Sequence, residues 1–241
     1  MGRSGLPTTL VICCQLPQGM PNSTAEACLD FGRRSAVPVT WLATIDRLPL
    51  VAGQRGTTPS LLDVALEIPA HQPRQELRQL LARAAEEVPG LDAAVIRGPL
   101  PAEHRQVLID SGIRVVCRDR FDDTNRGSRR PAPHGWPCRS TLWGLWEVTQ
   151  SGTVTPPGMV NRLIPWGSPS GPAAGSLTLI DIGGQGHATA DVVRSRIEQW
   201  HAWAQRRSTQ WQTVFASLSD LPTLIAGAAR LPEGGSVLKA A

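Results

Sequence analysis

A glycine-rich turn in the last third of the chain is the first stretch whose composition could carry chemistry. Residues 177–193 read LTLIDIGGQGHATADVV, an apolar run followed by a turn and by the start of a helical pattern. Backbone amides at a helix start bind anions, so glycines within 183–186 could hold a phosphate group. Gly184 and Gly186 match the first spacing of the dinucleotide-binding fingerprint, but Thr189 stands where its third glycine or alanine is needed. The pattern therefore favours the rim of an enzyme site in a strand–helix barrel over a phosphate-binding turn.

The basic excess of the chain is mild and concentrated. The formal net charge is +4. Much of the excess lies in one segment, which contains Arg118, Arg120, Arg126, Arg129 and Arg130. Such a run is more typical of a solvated loop than of an anion- or nucleic-acid-binding patch. No helix-turn-helix, RRM or zinc-finger pattern accompanies it, so we expect no nucleic-acid partner.

Composition and cysteine usage indicate a globular protein of the cell interior. The 241 residues are 41% hydrophobic and 18% charged, and no apolar run approaches the roughly 20 residues of a membrane helix. The apolar run at 10–14 is too short for a signal peptide, and no small-residue cleavage site follows it. The cysteines are scattered, odd in number and without a CxxC pair, which favours free thiols. The prediction is a cytoplasmic protein with no membrane partner.

Short apolar runs alternate with helical patterns along the chain. Strands are predicted at 8–14, 37–44, 62–68, 92–97, 113–118, 144–148, 177–182 and 212–218. Helices are predicted from a Ser23/Glu26 capping box to Arg34, at 73–88, 102–112 and 189–206, and from Asp220 onward. Such alternation means a parallel sheet, which either closes as a barrel or stays open and doubly wound. The near-continuous Val, Ile and Leu runs favour the α/β class and a distorted (β/α) barrel.

Two long segments interrupt this alternation, at 119–142 and 149–176. Both are rich in Pro, Gly, Arg and Trp, and both follow the C-terminal ends of strands, the face where barrels place their active sites. We predict a single domain over residues 1–241, with these two excursions lying over the mouth of the barrel. Trp136 and Trp166 lie within them and could stack on sugar rings, although packing is the commoner role of a single Trp.

Five segments share their order with the motifs of one enzyme family. They are PVTWLAT (38–44), EIPAHQPRQELRQLLARAAEEV (67–88), VIRGPLP through LIDSGIRVV (95–116), LTLIDIG (177–183) and TVFASLSDL (213–221). Together they resemble the polysaccharide deacetylase family, also called the NodB-homology or carbohydrate esterase 4 domain. The resemblance implies a distorted (β/α)7-type, NodB-like barrel. It also implies N-deacetylation of amino sugars by a metal-bound water.

The resemblance also implies site residues. In the family one Asp and two His hold a divalent metal, a second Asp accepts the proton of water, an Arg orients that Asp, and a His protonates the leaving amine. Here the arginine matches Arg97, and the H-x-x-x-H pair of metal ligands falls on Glu67 and His71. Asp181 stands at the general-acid position, with His187 in the glycine-rich turn beyond it.

The paired aspartates of the family have no counterpart after the first strand. That strand ends in Cys13-Cys14-Gln15, and no carboxylate follows before Asp30. The general base and one metal ligand are therefore missing. Glu67, His71 and Asp181 would form a mixed oxygen and nitrogen site that suits zinc or manganese, without restoring the base. We expect no cofactor, or zinc or another divalent metal if the protein is active.

Three functions stay open on these residues. The favoured one is a polysaccharide-deacetylase-like pseudoenzyme that has lost metal-dependent hydrolysis and keeps a pocket for a carbohydrate or another partner. The second is an active, divergent amidohydrolase acting on an N-acetylated sugar, and the third is a phosphate-binding protein using turn 183–186. The candidate catalytic residues are Arg97, Asp181 and His187, the candidate substrate-binding residues are Trp136, Trp166 and Glu147, and the candidate metal ligands are Glu67, His71 and Asp181.

Overall fold

The computed structural model describes residues 8–16, 19–34, 37–55, 62–69, 71–96, 100–118, 138–140, 144–149, 177–181, 190–207 and 213–224. The strands in these residues are β1 (Thr8–Leu16), β2 (Val39–Ala43), β3 (Leu62–Ile68), β4 (Ala93–Ile96), β5 (Val115–Arg118), β6 (Cys138–Ser140), β7 (Trp146–Thr149), β8 (Leu177–Asp181) and β9 (Thr213–Ala216). The helices are α1 (Asn22–Arg34), α2 (Leu48–Arg55), α3 (Arg74–Glu87), α4 (Ala102–Asp110) and α5 (Ala190–Arg207). A 3-10 turn (Ile45–Arg47) leads into α2.

Seven parallel strands form one curled half-barrel, in the order β7-β5-β4-β3-β2-β1-β8. β6 pairs antiparallel with the outer edge of β7, and β9 pairs parallel with β1. Helices α1 to α4 lie in the connections between β1 and β5, as crossovers between parallel neighbours require. The predicted distorted (β/α)7-type barrel is confirmed.

Strand β1 is shared by three neighbours. Its residues 8–11 pair with β9, its residues 13–16 pair with β2, and its residues 9–13 pair with β8. The β1 residues that pair with β8 include some that pair with β9 and one that pairs with β2. Strand β8 therefore lies along one edge of β1, and β9 and β2 lie one after the other along the opposite edge. The chain leaving β9 therefore runs directly toward the N-terminal ends of β2 and β3.

The sheet separates two apolar clusters. The outer cluster lies between the sheet and the helices and includes Cys14, Trp41 and Leu77. The inner cluster lies inside the half-barrel and includes Cys13 and Ala65. Adjacent Cys13 and Cys14 thus point to opposite faces, as alternation along a strand predicts.

Four cysteines are buried and are not joined in disulfides, as the sequence predicts: Cys13, Cys14, Cys28 and Cys117. Burial, and to a lesser extent the charge of Asp191, raises the pKa of the Cys28 thiol to about 11. This thiol is therefore neutral across the physiological range. Among the described helices, none is long and apolar enough to cross a bilayer.

Local predictions differ from the structure at three places. Helix α1 begins at Asn22, because the amides of Thr24 and Ala25 donate to the carbonyl of Pro21. Ser23 therefore lies inside the first turn, and the predicted capping box is wrong. Helix α2 was not predicted, since its sequence LPLVAGQR contains proline and glycine and has no polar face. Strand β6 lies within the first predicted excursion.

Gly32 of α1 leaves room for the indole ring of Trp41. A Cβ atom at residue 32 would lie 2.7 Å from Cζ2 of that ring, and the ring is fully buried. Gly32→Ala is therefore expected to lower the free energy of unfolding by about 1–3 kcal/mol, because overpacking a well-packed core forces side chains to shift. Urea unfolding followed by circular dichroism measures this.

Gly53 of α2 provides the matched control for that substitution. A Cβ atom there would meet nothing within 4 Å, and alanine is the better helix former by about 0.5–1 kcal/mol. Gly53→Ala should therefore leave stability unchanged or raise it. A Gly32→Ala variant as stable as the parent would contradict the close packing of α1 on β2.

Candidate functional site

The mouth of the half-barrel, defined as the C-terminal ends of its strands, brings together two polar side chains. Gln15 is the next-to-last residue of β1 and Glu67 the next-to-last residue of β3. Alternation along each strand places them on the inner face, two residues beyond Cys13 and Ala65 of the inner cluster. Both carry long side chains on the face where barrel enzymes place their active sites.

The amide of Gln15 and the carboxylate of Glu67 meet across the intervening strand. Gln15 Nε2 lies 2.9 Å from Oε1 and 2.9 Å from Oε2 of Glu67. Because β2 separates their strands, the backbones are about 9 to 10 Å apart, and only two long side chains can span that gap. The nitrogen is equidistant from the two oxygens, which is the position from which a cation would engage both.

The described donors at the mouth do not fit a divalent metal. The amide nitrogen of Gln15 carries hydrogens and cannot be a ligand, and it faces the carboxylate that would be one. His71 is exposed, and its backbone has a φ of 60°, in the left-handed region. Within the described ranges, no three His, Cys, Asp or Glu side chains approach closely enough to hold an ion.

Several predicted site residues are not tested by the structure. Arg97, His187, Trp136 and Trp166 lie outside the described residues, as does turn 183–186. Asp181 is the last residue of β8, and its Cα lies in register with that of Cys13 in β1. The ligand set Glu67, His71 and Asp181 and the catalytic roles of Arg97, Asp181 and His187 therefore stay predictions.

Glu147, predicted as a substrate-binding residue, lies on the outer face of the sheet. Its neighbour Val148 belongs to the inner cluster, so alternation turns Glu147 toward α4. Arg105 Nε of α4 donates to Glu147 Oε1 at 2.7 Å, and an Arg118 nitrogen lies 3.9 Å from the other oxygen. Glu147 is 4% exposed. In this position the carboxylate joins sheet to helix and does not face the mouth.

A second polar cluster lies at the base of the half-barrel, where the strands begin. Asp63 of β3 accepts a hydrogen bond from Thr40 Oγ1 at 2.8 Å, and its other oxygen lies 2.7 Å from Ser219 Oγ. The same Ser219 oxygen lies 2.6 Å from Asp92. Burial raises the pKa of the Asp63 carboxyl, and the hydrogen bonds that its ionised form accepts from Ser219 and Thr40 oppose that change.

Sequence reasoning missed both polar contacts, although one signal for the first was present. Period-two alternation from Cys13 and from Ala65 places Gln15 and Glu67 on one face at matching strand ends. Their hydrogen bond depends on β1 and β3 flanking β2, an order that no local pattern contains. The contacts of Asp63 with Ser219 depend on the course of the chain after β9.

Comparison with known proteins identifies no family by sequence. No protein-family model matches the chain, and no curated protein matches it. Two similar solved structures are family 4 carbohydrate esterases. One, from Streptomyces lividans in complex with acetate, is 17% identical with a TM-score of 0.32, over 47% of this chain and 62% of that one, which is less than two thirds of its length.

The other esterase, PdaA from Bacillus subtilis, is 13% identical with a TM-score of 0.41, over 90% of this chain and 80% of that one. A designed cube-shaped protein cage is 9% identical with a TM-score of 0.37, over 93% of this chain and 80% of that one. Similarity at this level carries no conclusion about activity.

Proposed function

We propose that this protein is a polysaccharide-deacetylase-like protein that has lost metal-dependent hydrolysis and binds a carbohydrate at the mouth of its half-barrel. The observation that carries the proposal is the contact between Gln15 and Glu67, at 2.9 Å to both carboxylate oxygens. The polysaccharide deacetylase family, which the sequence resembles, has paired aspartates at the end of its first strand. Gln15 stands at that strand end instead.

The substitution removes proton transfer as well as a ligand. A glutamine amide does not accept a proton at neutral pH, so Gln15 cannot activate a water molecule as general base. Its nitrogen also takes the place from which a cation would bind Glu67. The two effects act together, and loss of a metal ligand and a base is expected to cost many orders of magnitude in rate.

The same pair supports sugar binding. Both groups have acceptor oxygens, and a carboxylate beside an amide is well suited to the neighbouring hydroxyls of a sugar ring, which donate and accept in pairs. Glu67 is half-buried at the mouth, where part of its carboxylate can meet a ligand. Trp136 and Trp166 are proposed to supply the apolar ring faces against which the sugar stacks.

The proposal can be tested by measuring the metal content of the protein and its binding and hydrolysis of N-acetylglucosamine oligomers. We expect protein purified without added metal to contain no stoichiometric metal, to release no acetate, and to bind the oligomer in a calorimetric titration. Glu67→Gln should raise the Kd by about tenfold to a hundredfold, because a hydrogen bond to a charged group contributes about 1.5–3 kcal/mol. Glu76→Gln on the exposed face of α3 is the matched control and should leave the Kd unchanged.

Two outcomes would overturn the proposal. Acetate release that is stopped by a chelator and by His71→Ala would establish an active deacetylase using the predicted ligands. Absence of both binding and hydrolysis would exclude an N-acetylglucosamine pocket and direct attention to a protein or other partner.

A further inference from the structure

The hydroxyl of Ser219 lies between two carboxyl groups at the base of the half-barrel. Ser219 Oγ is 2.7 Å from Asp63 Oδ1 and 2.6 Å from Asp92 Oδ1. A hydroxyl has one hydrogen to donate, and an ionised carboxylate can only accept. Two ionised carboxylates would therefore leave one of these short contacts without a hydrogen. The arrangement requires one additional proton on one of the carboxyl groups.

The other contacts of Asp63 indicate where that proton lies. Its Oδ2 atom accepts from Thr40 Oγ1 at 2.8 Å and from the Ser219 amide at 3.3 Å. Thr40 Oγ1 itself accepts from the Leu218 amide at 2.8 Å, so its own hydrogen is available for Asp63. Oδ2 of Asp63 is thus an acceptor, and a hydrogen on Oδ1 can point to Ser219, whose hydrogen then points to Asp92.

Burial and charge favour the same assignment. Asp63 is 7% exposed, whereas Asp92 is half-buried. Burial raises the pKa of the Asp63 carboxyl, and the charge of Asp92 adds to this. An ionised carboxylate without a counter-ion is costly at such a buried position. In the described part of the chain, neither carboxyl forms an ion pair.

Other titratable groups around the cluster have separate roles. Strands β2 and β4 contain none. Asp220 accepts from the amide and hydroxyl of Ser217 at 3.1 and 2.6 Å. Arg114 is exposed and contacts Asp92 through its backbone amide, which donates to the Asp92 carbonyl at 2.7 Å. The thiols of Cys13 and Cys117 belong to the inner cluster and are buried there.

We propose that Asp63 and Asp92 share one proton through Ser219 at neutral pH, held on Asp63, and that this proton fastens residues 217–220 across the base of the half-barrel. This segment, the latch, follows β9, which pairs only with β1 among the described strands. Through Thr40, Asp63 and Asp92 the latch is joined to the N-terminal ends of β2, β3 and β4. Leu218 of the latch also belongs to the inner cluster, so opening would expose that core at its base.

The raised pKa of Asp63 determines whether stability rises or falls with pH. A carboxyl whose pKa is raised in the folded state stabilises the fold most below the pKa of the unfolded chain, about 4. That stabilisation is lost as the pH rises from this value through the folded pKa. For each unit by which the folded pKa is raised, the equilibrium constant for opening grows about tenfold.

Asp63→Asn replaces the protonated acid by a group of the same shape. Its amide oxygen can accept from Thr40, and its amide hydrogens can donate to Ser219 at any pH. The test is the rate of hydrogen exchange at the amides of Leu218 and Ser219, corrected for intrinsic rates and measured from acidic to mildly alkaline pH. In the wild-type protein, the protection of these two amides from exchange should fall by about tenfold or more as the pH rises over this range. In Asp63→Asn, their protection should stay constant. Asp220→Asn, the control in the same segment, should keep the wild-type pH dependence.

Infrared spectroscopy of the wild-type protein tests the proton directly, even if a variant fails to fold. At neutral pH we expect the carbonyl band of a protonated carboxyl group, and we expect Asp63→Asn to lack it. Absence of the band in the wild type, its persistence in Asp63→Asn, or an equal pH dependence of exchange in the two proteins would overturn the proposal.

Discussion

Replacing Glu147 by alanine is expected to lower the free energy of unfolding by about 3–5 kcal/mol, the loss seen when one member of a buried ion pair is removed. Glu147 is 4% exposed and contacts Arg105 at 2.7 Å and Arg118 at 3.9 Å. The side chain of Arg118 is 16% exposed, and its Nε atom has no hydrogen-bond partner within the described residues. Without Glu147, this half-buried guanidinium loses the carboxylate that balances its charge.

Two further variants separate the charge from the contact. Glu147→Gln keeps an oxygen for Arg105 and should lose less stability than the alanine variant. Arg105→Ala should lose a comparable amount of stability, because it removes the 2.7 Å partner of a carboxylate that is only 4% exposed. Denaturant unfolding measures all three. Sugar binding should stay unchanged in whichever variants fold, and a variant with wild-type stability but weakened sugar binding would restore Glu147 to the substrate-binding set.

Replacing Trp41 by alanine is expected to lower the free energy of unfolding by a similar amount, about 3–5 kcal/mol. Trp41 lies in β2, is fully buried and belongs to the outer cluster, where its ring packs against Gly32 of α1. Removal of the ring leaves a cavity between β2 and α1. The tryptophan of the segment PVTWLAT therefore has a packing role and does not line the mouth.

Trp41→Phe is the matched variant for this prediction. The indole Nε1 atom has no hydrogen-bond partner within the described residues, so phenylalanine loses ring volume but no hydrogen bond. We expect a smaller loss of stability than with alanine, measured by circular dichroism in urea because the substitution changes the fluorescence. Equal losses in the two variants would show that ring volume does not determine the contribution of this site.

The spacing of apolar residues and the residue types at turns allow much of the fold to be predicted from the sequence. The predicted strand at 62–68 coincides with β3, and the predicted helix at 73–88 contains α3. In both segments the spacing of apolar residues is unambiguous. Alternation also places Cys13 and Cys14 on opposite faces. Helix α2 is not predicted from the sequence, because its eight residues lack a polar face and include Pro49 and Gly53.

The candidate site could be predicted in part. The absence of a carboxylate at the end of β1 is visible in the sequence, and Glu67 is a candidate from its motif alone. Alternation shows that Glu147 and Val148 face opposite sides of β7, but it does not show which side is the inside of the barrel. That choice depends on where α4 packs, and Arg105 of α4 places Glu147 outside.

Contacts between distant segments were decided by the tertiary structure. Gln15 and Glu67 are 52 positions apart, and Asp63 and Ser219 are 156 apart. The sequence determines which residues form strands and which side chains share a face, because these follow from dihedral geometry over a few residues. It does not determine strand order or the path of the chain after β9. Those depend on how all the strands and helices bury their apolar faces together, and they alone bring these polar groups within hydrogen-bond distance.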